Sequence, residues 1–256
     1  MSDPIFVRTH HNYESYVDLF RLIDLSGFPV CYPEEVEADS DNTYLVTVLN
    51  GEIGDRWAGA RARIVHLNCE WDPYPKYAGI SETFHFDAWF ASKHGVRYVP
   101  LGSHPSLAEG VLGESRTYDA AFLMYVLPRR STIRYELERR GLWLTPTGAW
   151  GDERHTLLTN SKSYLHVHQR DDAPGIPALR MVVAAAYKLP VLMEDVPDRG
   201  MFGYTTFLSS SYDALPEMVT QWLHPSNAGM LHDYGMDLHE LLCGEYTFRR
   251  SIEGAL

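Results

Sequence analysis

Residues 173–195 read APGIPALRMVVAAAYKLPVLMED, and the arginine in this stretch is the first group to weigh. A proline-marked turn opens a helix of small residues, Arg180 falls near its start, and an apolar strand follows, ending in Glu194-Asp195. A helix N-terminus carries partial positive charge and unpaired N–H donors, which suits a phosphate or diphosphate. A guanidinium there adds forked hydrogen bonds to the same anion. The competing use of Arg180 is an ion pair with Glu194 or Asp195. Just upstream, SYLHVHQ (163–169) alternates His166 and His168 onto one strand face. His168 and Gln169 are expected to contact a sugar or phosphate, and His166 to be a buried, hydrogen-bonded histidine. Two histidines without a third ligand do not close a zinc site. Arg129 and Arg130 follow another apolar strand and could reach the same anion or stand solvated at a helix start. Trp150, between Gly148 and Gly151, sits in a turn that could bring the Gly151 backbone to a pyrimidine edge while the indole stacks. A packed loop tryptophan is the alternative.

Candidate proton acceptors fall in the first half. His10 and His11 follow the first strand, and a histidine titrates near neutrality, so either could take a proton from a hydroxyl. Glu70 and Asp72 occupy a comparable strand-end loop and compete for that role. His104, before Pro105, reads as a turn residue or as a cap on the cleft. Asp39-Ser40-Asp41 has the D-x-D pattern of a metal–nucleotide site, but it precedes its strand within an acidic run and reads as a solvated loop.

The chain that must position these groups has 256 residues, enough for one large domain or two small ones. Its net charge of -12 opposes non-specific binding to nucleic acid, although a local basic groove could override it. The three cysteines are far apart with no CxxC spacing, so neither a disulfide framework nor a zinc site is expected. No apolar run approaches the ~20 residues of a membrane span. The first residues lack the basic start and apolar run of a signal peptide. The expected location is therefore the cytoplasm, or a host cytoplasm for a viral chain.

Hydrophobic periodicity divides the chain into two runs of alternating strands and helices. The first run predicts strands at 5–9, 28–32, 43–49 and 63–67, a helix at 13–25, a helical stretch at 81–87 and short edge elements at 88–91 and 97–100. A glycine-bearing linker at 106–117 follows. The second run predicts strands at 118–126, 142–144, 163–169 and 191–193, with helices at 131–140, 152–159, 177–188 and 215–223. A turn is expected at 209–213, and 231–252 is helical in pattern. Two such runs imply an α/β fold of two doubly wound, Rossmann-like layers facing a central cleft. The expected divisions are 1–112 for acceptor binding, 113–230 for nucleotide binding, and 231–256 packing back on the first. The absence of G-x-G-x-x-G after the first strand, where His10-His11-Asn12 stands, argues against a Rossmann oxidoreductase.

The order of these motifs resembles the donor domain of GT-B fold glycosyltransferases, in particular the small, compact branch with spore-coat and phage-type enzymes. The strand YDAAFLMY, the helix RRSTIRYELERRG, the turn GAWG, the helix start DERHTLL, the strand LHVHQ, the Pro-Gly loop, the Arg180 helix and the strand PVLMED come in family order and cover the second half. The first half matches in pattern, helped by CEWDPYP and LGSHP. The resemblance implies transfer of a sugar from a nucleotide-sugar co-substrate, UDP-linked, to an acceptor hydroxyl, with no metal cofactor. Arg180 with Arg129 or Arg130 would stabilise the leaving diphosphate, and His10, His11, Glu70 or Asp72 would deprotonate the acceptor. Phage-type members glycosylate hydroxymethylated pyrimidines in DNA, an acceptor that the acidic net charge opposes. Aligned through Lys188-Leu189-Pro190, the two glutamates of many retaining members fall on Gly175 and Val183. The ribose-holding glutamate is therefore missing there, and Glu194 is its expected replacement. A non-catalytic nucleotide-sugar binder on the same fold is the alternative.

Overall fold

The computed structural model describes residues 3–8, 13–47, 55–69, 77–108, 116–172, 174–202 and 206–256. In the first half, β1 (Ile5–Val7), β2 (Val30–Cys31), β3 (Thr43–Val46), β4 (Arg63–Asn68), β5 (Glu82–His85) and β6 (Arg97–Tyr98) form a parallel sheet in the order β2-β1-β3-β4-β5-β6. Its central strands read as continuous apolar runs, such as Tyr44-Leu45-Val46 and Ile64-Val65, because they are buried on both faces. Helix α1 (Tyr13–Leu25) follows β1 with the predicted bounds; its Tyr16, Leu19, Phe20 and Ile23 are buried in the core. The winding reverses between β1 and β3, because β2 lies on one side of β1 and β3 on the other.

Two expectations reverse at the next step. Residues 82–85, expected to be helical, are β5, paired with β4 through Asn68↔His85 and with β6 through His85↔Tyr98. Neighbouring strands on both sides satisfy its backbone, and the alternating Phe84 and Phe86 fill the core. Residues 88–94, expected to begin as an edge element, are helix α2 (Ala88–His94). The Asp87 side chain caps it by accepting from Phe90 N, and Gly95 ends it in the left-handed region at φ 62.

The second sheet holds β7 (Tyr164–His166), β8 (Val191–Glu194) and β9 (Leu208–Ser210), all parallel. The strands expected at 118–126 and 142–144 are present as extended segments joined by single parallel bridges, Ala121↔Tyr164 and Ala120↔Leu144. The lateral order is therefore 142–144, 118–121, β7, β8, β9, with the reversal between 118–121 and β7. Residues 208–210, expected partly as a turn, complete the sheet as β9. Helices α3 (Pro128–Arg139), α4 (Gly151–Thr159), α5 (Ala178–Ala186) and α6 (Leu215–Trp222) connect or flank these strands.

Helix α7 (Ala228–His239) crosses the end of α5 so closely that a Cβ on Gly235 would lie 2.4 Å from the Lys188 carbonyl oxygen. It runs into a π-helical turn (Glu240–Glu245) and then α8 (Phe248–Ala255). Phe248 packs against Phe6 and Phe28 of the first half, at ring-centroid distances of 5.8 and 6.2 Å. One apolar cluster runs from Phe6, Leu45 and Phe84 through Leu123 and Leu158 to Tyr187, Leu189 and Phe248. The two sheets thus share a continuous core. The expected boundary at 112/113 lies outside the described residues, and the one at 230/231 falls inside α7.

Candidate functional site

A cavity of about 390 Å³ is lined from both halves of the chain, by Tyr16, Asp18, His85 and Asp87 from the first and by Tyr125, Arg130, Trp150, Arg154, His166, His168, Gln169 and Arg180 from the second. On the second sheet it lies beyond the carboxyl ends of 118–124 and β7. That is where the strand order reverses, the place where open parallel sheets hold ligands.

Two arginines meet there in different ways from their neighbours. Arg130, in the first turn of α3, is 3% exposed. Its Nε donates to the Val167 carbonyl at 3.0 Å and its Nη1 to the Tyr125 carbonyl at 3.4 Å. Among the described residues no carboxylate comes within ion-pair distance of it. Burial, with the charge of Arg180 added, brings it down to about 10, so it stays cationic at neutral pH. Arg180, in the first turn of α5, donates through Nη1 to Nδ1 of His166 at 3.1 Å. A guanidinium only donates, so His166 carries its proton on Nε2. Burial, then Arg180, His168 and Arg130, holds His166 well below the ordinary histidine range, so it is neutral.

His168 is neutral too: burial lowers it, outweighing the carboxylate of Glu194 and its bond to a backbone oxygen. Its Nε2 donates to the Asp195 carbonyl at 2.9 Å, which leaves Nδ1 as an acceptor. Trp150 caps α4 at the rim, with the Tyr125 ring 5.9 Å away and the Arg154 guanidinium 5.9 Å above it. Gln169 lies beside His168 in the lining.

Three of the expected donor residues stand outside the lining. Arg129 pairs with both oxygens of Glu194, donates to Asp171 Oδ1 at 2.7 Å and lies 3.9 Å over the Tyr212 ring. These partners hold it cationic above the ordinary arginine range, the Glu194 hydrogen bond foremost. Glu194 also accepts from the His168 backbone N–H at 3.1 Å, so its carboxylate braces the carboxyl end of β7. Gly151 begins α4 at φ 56, a conformation that favours glycine, and supports the Trp150 turn. The four expected bases, His10, His11, Glu70 and Asp72, lie outside the described residues. His104 accepts from Ser106 N at 3.1 Å as a turn cap, and Asp41 is an exposed partner of Arg61.

Sequence reasoning missed two carboxylates in the cavity wall. Asp18, on α1, forms a buried ion pair with Arg154 of α4 at 2.6 Å, with His155 Nε2 3.5 Å away. Burial pushes Asp18 upward, but His155, Arg154 and Arg21 outweigh it and hold the carboxyl below its ordinary range. Asp87 accepts from Phe90 N and from Ile176 N, each at 2.6 Å. Burial, helped by the charge of Asp198, pushes it up to about 6 in spite of those bonds. Asp18 has no local signal, because its partner lies in the other half. Asp87 has one: an aspartate directly before Ala-Trp-Phe is a helix cap. Among the described residues no three His, Cys, Asp or Glu side chains converge on a metal site, and no helix is long and apolar enough to cross a membrane.

No protein-family model matches the chain, and no curated protein matches it. Solved structures do. AviGT4, a glycosyltransferase involved in avilamycin A biosynthesis, superposes with a TM-score of 0.66 at 12% identity over 99% of both chains. An α1,3-fucosyltransferase gives 0.57 at 11% identity, over 98% of this chain and 88% of that one. The T4 phage enzyme BGT, solved with its UDP-glucose substrate, gives 0.55 at 12% identity, over 98% of this chain and 96% of that one. With parallel sheets in this order and a cavity at the reversal of the second, the chain has the α/β fold of the GT-B glycosyltransferases.

Proposed function

We propose that the protein transfers a sugar from a nucleotide-sugar donor, UDP-linked, to an acceptor hydroxyl. The observation that carries this reading is the Arg130–Arg180 pair at the reversal point of the second sheet. Arg130 is a buried cation whose hydrogen-bond partners among the described residues are carbonyls, beside a second cation. An arrangement of that kind is costly when empty and favourable around a dianion, and the departing diphosphate gains most as its charge develops. The neutral His166 adds an Nε2 donor to the same anion, while the Nδ1 acceptor of His168 suits a sugar hydroxyl. Two guanidiniums supply the charge that a divalent cation would otherwise supply, so the reading calls for no metal, and activity should survive a chelator. Trp150 and Tyr125 offer aromatic faces to a base or sugar ring.

In this reading the second half holds the donor and the first half the acceptor, across the cavity between them. The base that deprotonates the acceptor is one of His10, His11, Glu70 and Asp72. A hydroxyl on duplex DNA is disfavoured as acceptor by the net charge of -12, which a small-molecule hydroxyl does not meet. The neighbours named above support the reaction class; T4 phage BGT is the one solved with UDP-glucose. The test is thermal stabilisation by UDP and UDP-glucose but not NAD, followed by UDP release with an acceptor. Stabilisation by NAD alone would overturn the reading. Donor binding without turnover across a broad panel of acceptors would instead mark a nucleotide-sugar binding protein.

A further inference from the structure

Asp87 stands just past the carboxyl end of β5, in the wall of the cavity contributed by the first half. It is 2% exposed, and its two oxygens do different jobs. Oδ1 accepts from Phe90 N and caps α2, within its own half. Oδ2 accepts from Ile176 N, in the other half. Between Pro174 and Pro177 only Gly175 and Ile176 carry a backbone N–H, so this amide is one of the two backbone donors the loop offers. From Ile176 the backbone bonds run straight into the Arg180 turn. The Ile176 carbonyl accepts from Ala178 N at 2.8 Å, and the Pro177 carbonyl accepts from Arg180 N at 2.8 Å and Met181 N at 3.0 Å.

We propose that Asp87 is a positioning residue for the donor site: its carboxylate ties the first half to the backbone turn that presents Arg180 to the diphosphate. This rests on the reading of Arg130 and Arg180 as diphosphate ligands. The groups facing Asp87 are Asp198, the Tyr98 hydroxyl and His85, whose Nδ1 accepts the Asp87 backbone N–H at 2.8 Å. The carboxylate is ionised at pH 7 and can accept both amides. Once protonated it presents a hydroxyl toward one of them, and one bond is given up.

Asp87→Asn and Asp87→Ser separate this role from a merely structural one. Both residues cap helices as well as aspartate does, so α2 is kept while Ile176 N loses its acceptor. The measurements are calorimetric titration with UDP-glucose at pH 7.5 and 5.5, and hydrogen exchange over 174–182 without ligand. UDP-glucose is the probe because its esterified diphosphate does not titrate in this window. Both variants should bind about tenfold more weakly at pH 7.5, as expected for one hydrogen bond to a charged group. Their amides from Ile176 to Met181 should exchange faster. Wild type should weaken toward the variants at pH 5.5, and the variants should stay level. Unchanged affinity and exchange, or a lowered melting temperature with affinity intact, would overturn the proposal. If wild type does not bind UDP-glucose, the functional reading fails, and exchange still decides the tie: faster exchange upholds it and unchanged exchange removes it.

Discussion

Replacing Arg130 by methionine should cost binding without costing stability. The guanidinium is buried beside Arg180 and brought down to about 10, a depression that corresponds to about 3 kcal/mol of disfavour for the charged form in the empty protein. Methionine removes that term. It also forfeits two charge-assisted bonds, to the Val167 and Tyr125 carbonyls, together worth about 3 kcal/mol, the second being long at 3.4 Å. The two cancel to within about 1 kcal/mol, so the melting temperature should move by no more than about 2–4 °C. Binding has no such cancellation. Losing a charged hydrogen-bond donor to a diphosphate costs roughly 1.5–3 kcal/mol, or roughly ten- to a hundredfold in affinity. At a UDP concentration that gives wild type ~2.7 kcal/mol of ligand stabilisation, the variant should keep about 0.4–1.4 kcal/mol. Thermal melts with and without UDP read both quantities. A variant that melts much lower when empty but keeps its full UDP shift would show that Arg130 is a structural cation and refute the reasoning.

Arg129→Ala should behave in the opposite way. It strands the Glu194 carboxylate, so stability should fall by about 3 kcal/mol in urea unfolding, while the folded protein keeps its UDP affinity. Asp18→Ala leaves the buried Arg154 unpaired between the halves and should cost about 3–5 kcal/mol; a loss under 1 kcal/mol would show the pair to be idle. The Asp87 carboxyl is raised in the folded state to about 6, so the fold binds an extra proton between about pH 4 and 6, and its contribution to stability falls as pH rises through that window. The stability of Asp87→Asn relative to wild type should therefore worsen by about 3 kcal/mol between pH 7 and pH 4. A pH-independent difference would contradict the assignment.

Local patterns made the elements legible where they were strong. The bounds of α1 followed from Tyr16, Leu19, Phe20 and Ile23 at helical spacing before Ser26-Gly27, and α5 and β8 from the run of alanines and Val191-Leu192-Met193. The passage from β5 to α2 misled, because Phe86 and Phe90 lie four apart, as on one helix face, while Phe84 and Phe86 alternate, as on a strand, and the cap at Asp87 marks where one pattern gives way to the other. Arg129 and Arg130 show the limit on sites. Adjacent helical residues point about 100° apart, so one can face Glu194 and the other the cavity, and composition does not say which. The pairs Asp18–Arg154 and Asp87–Ile176 join the two halves, so neither partner carries a mark of the other in its own neighbourhood.

A crystal structure with UDP bound tests the central claim most directly. The diphosphate oxygens should lie within hydrogen-bonding distance of the Arg130 and Arg180 guanidiniums, beyond the carboxyl ends of 118–124 and β7. Uridine diphosphate seated elsewhere, with Arg130 still turned to the Val167 carbonyl and Arg180 to His166, would contradict it.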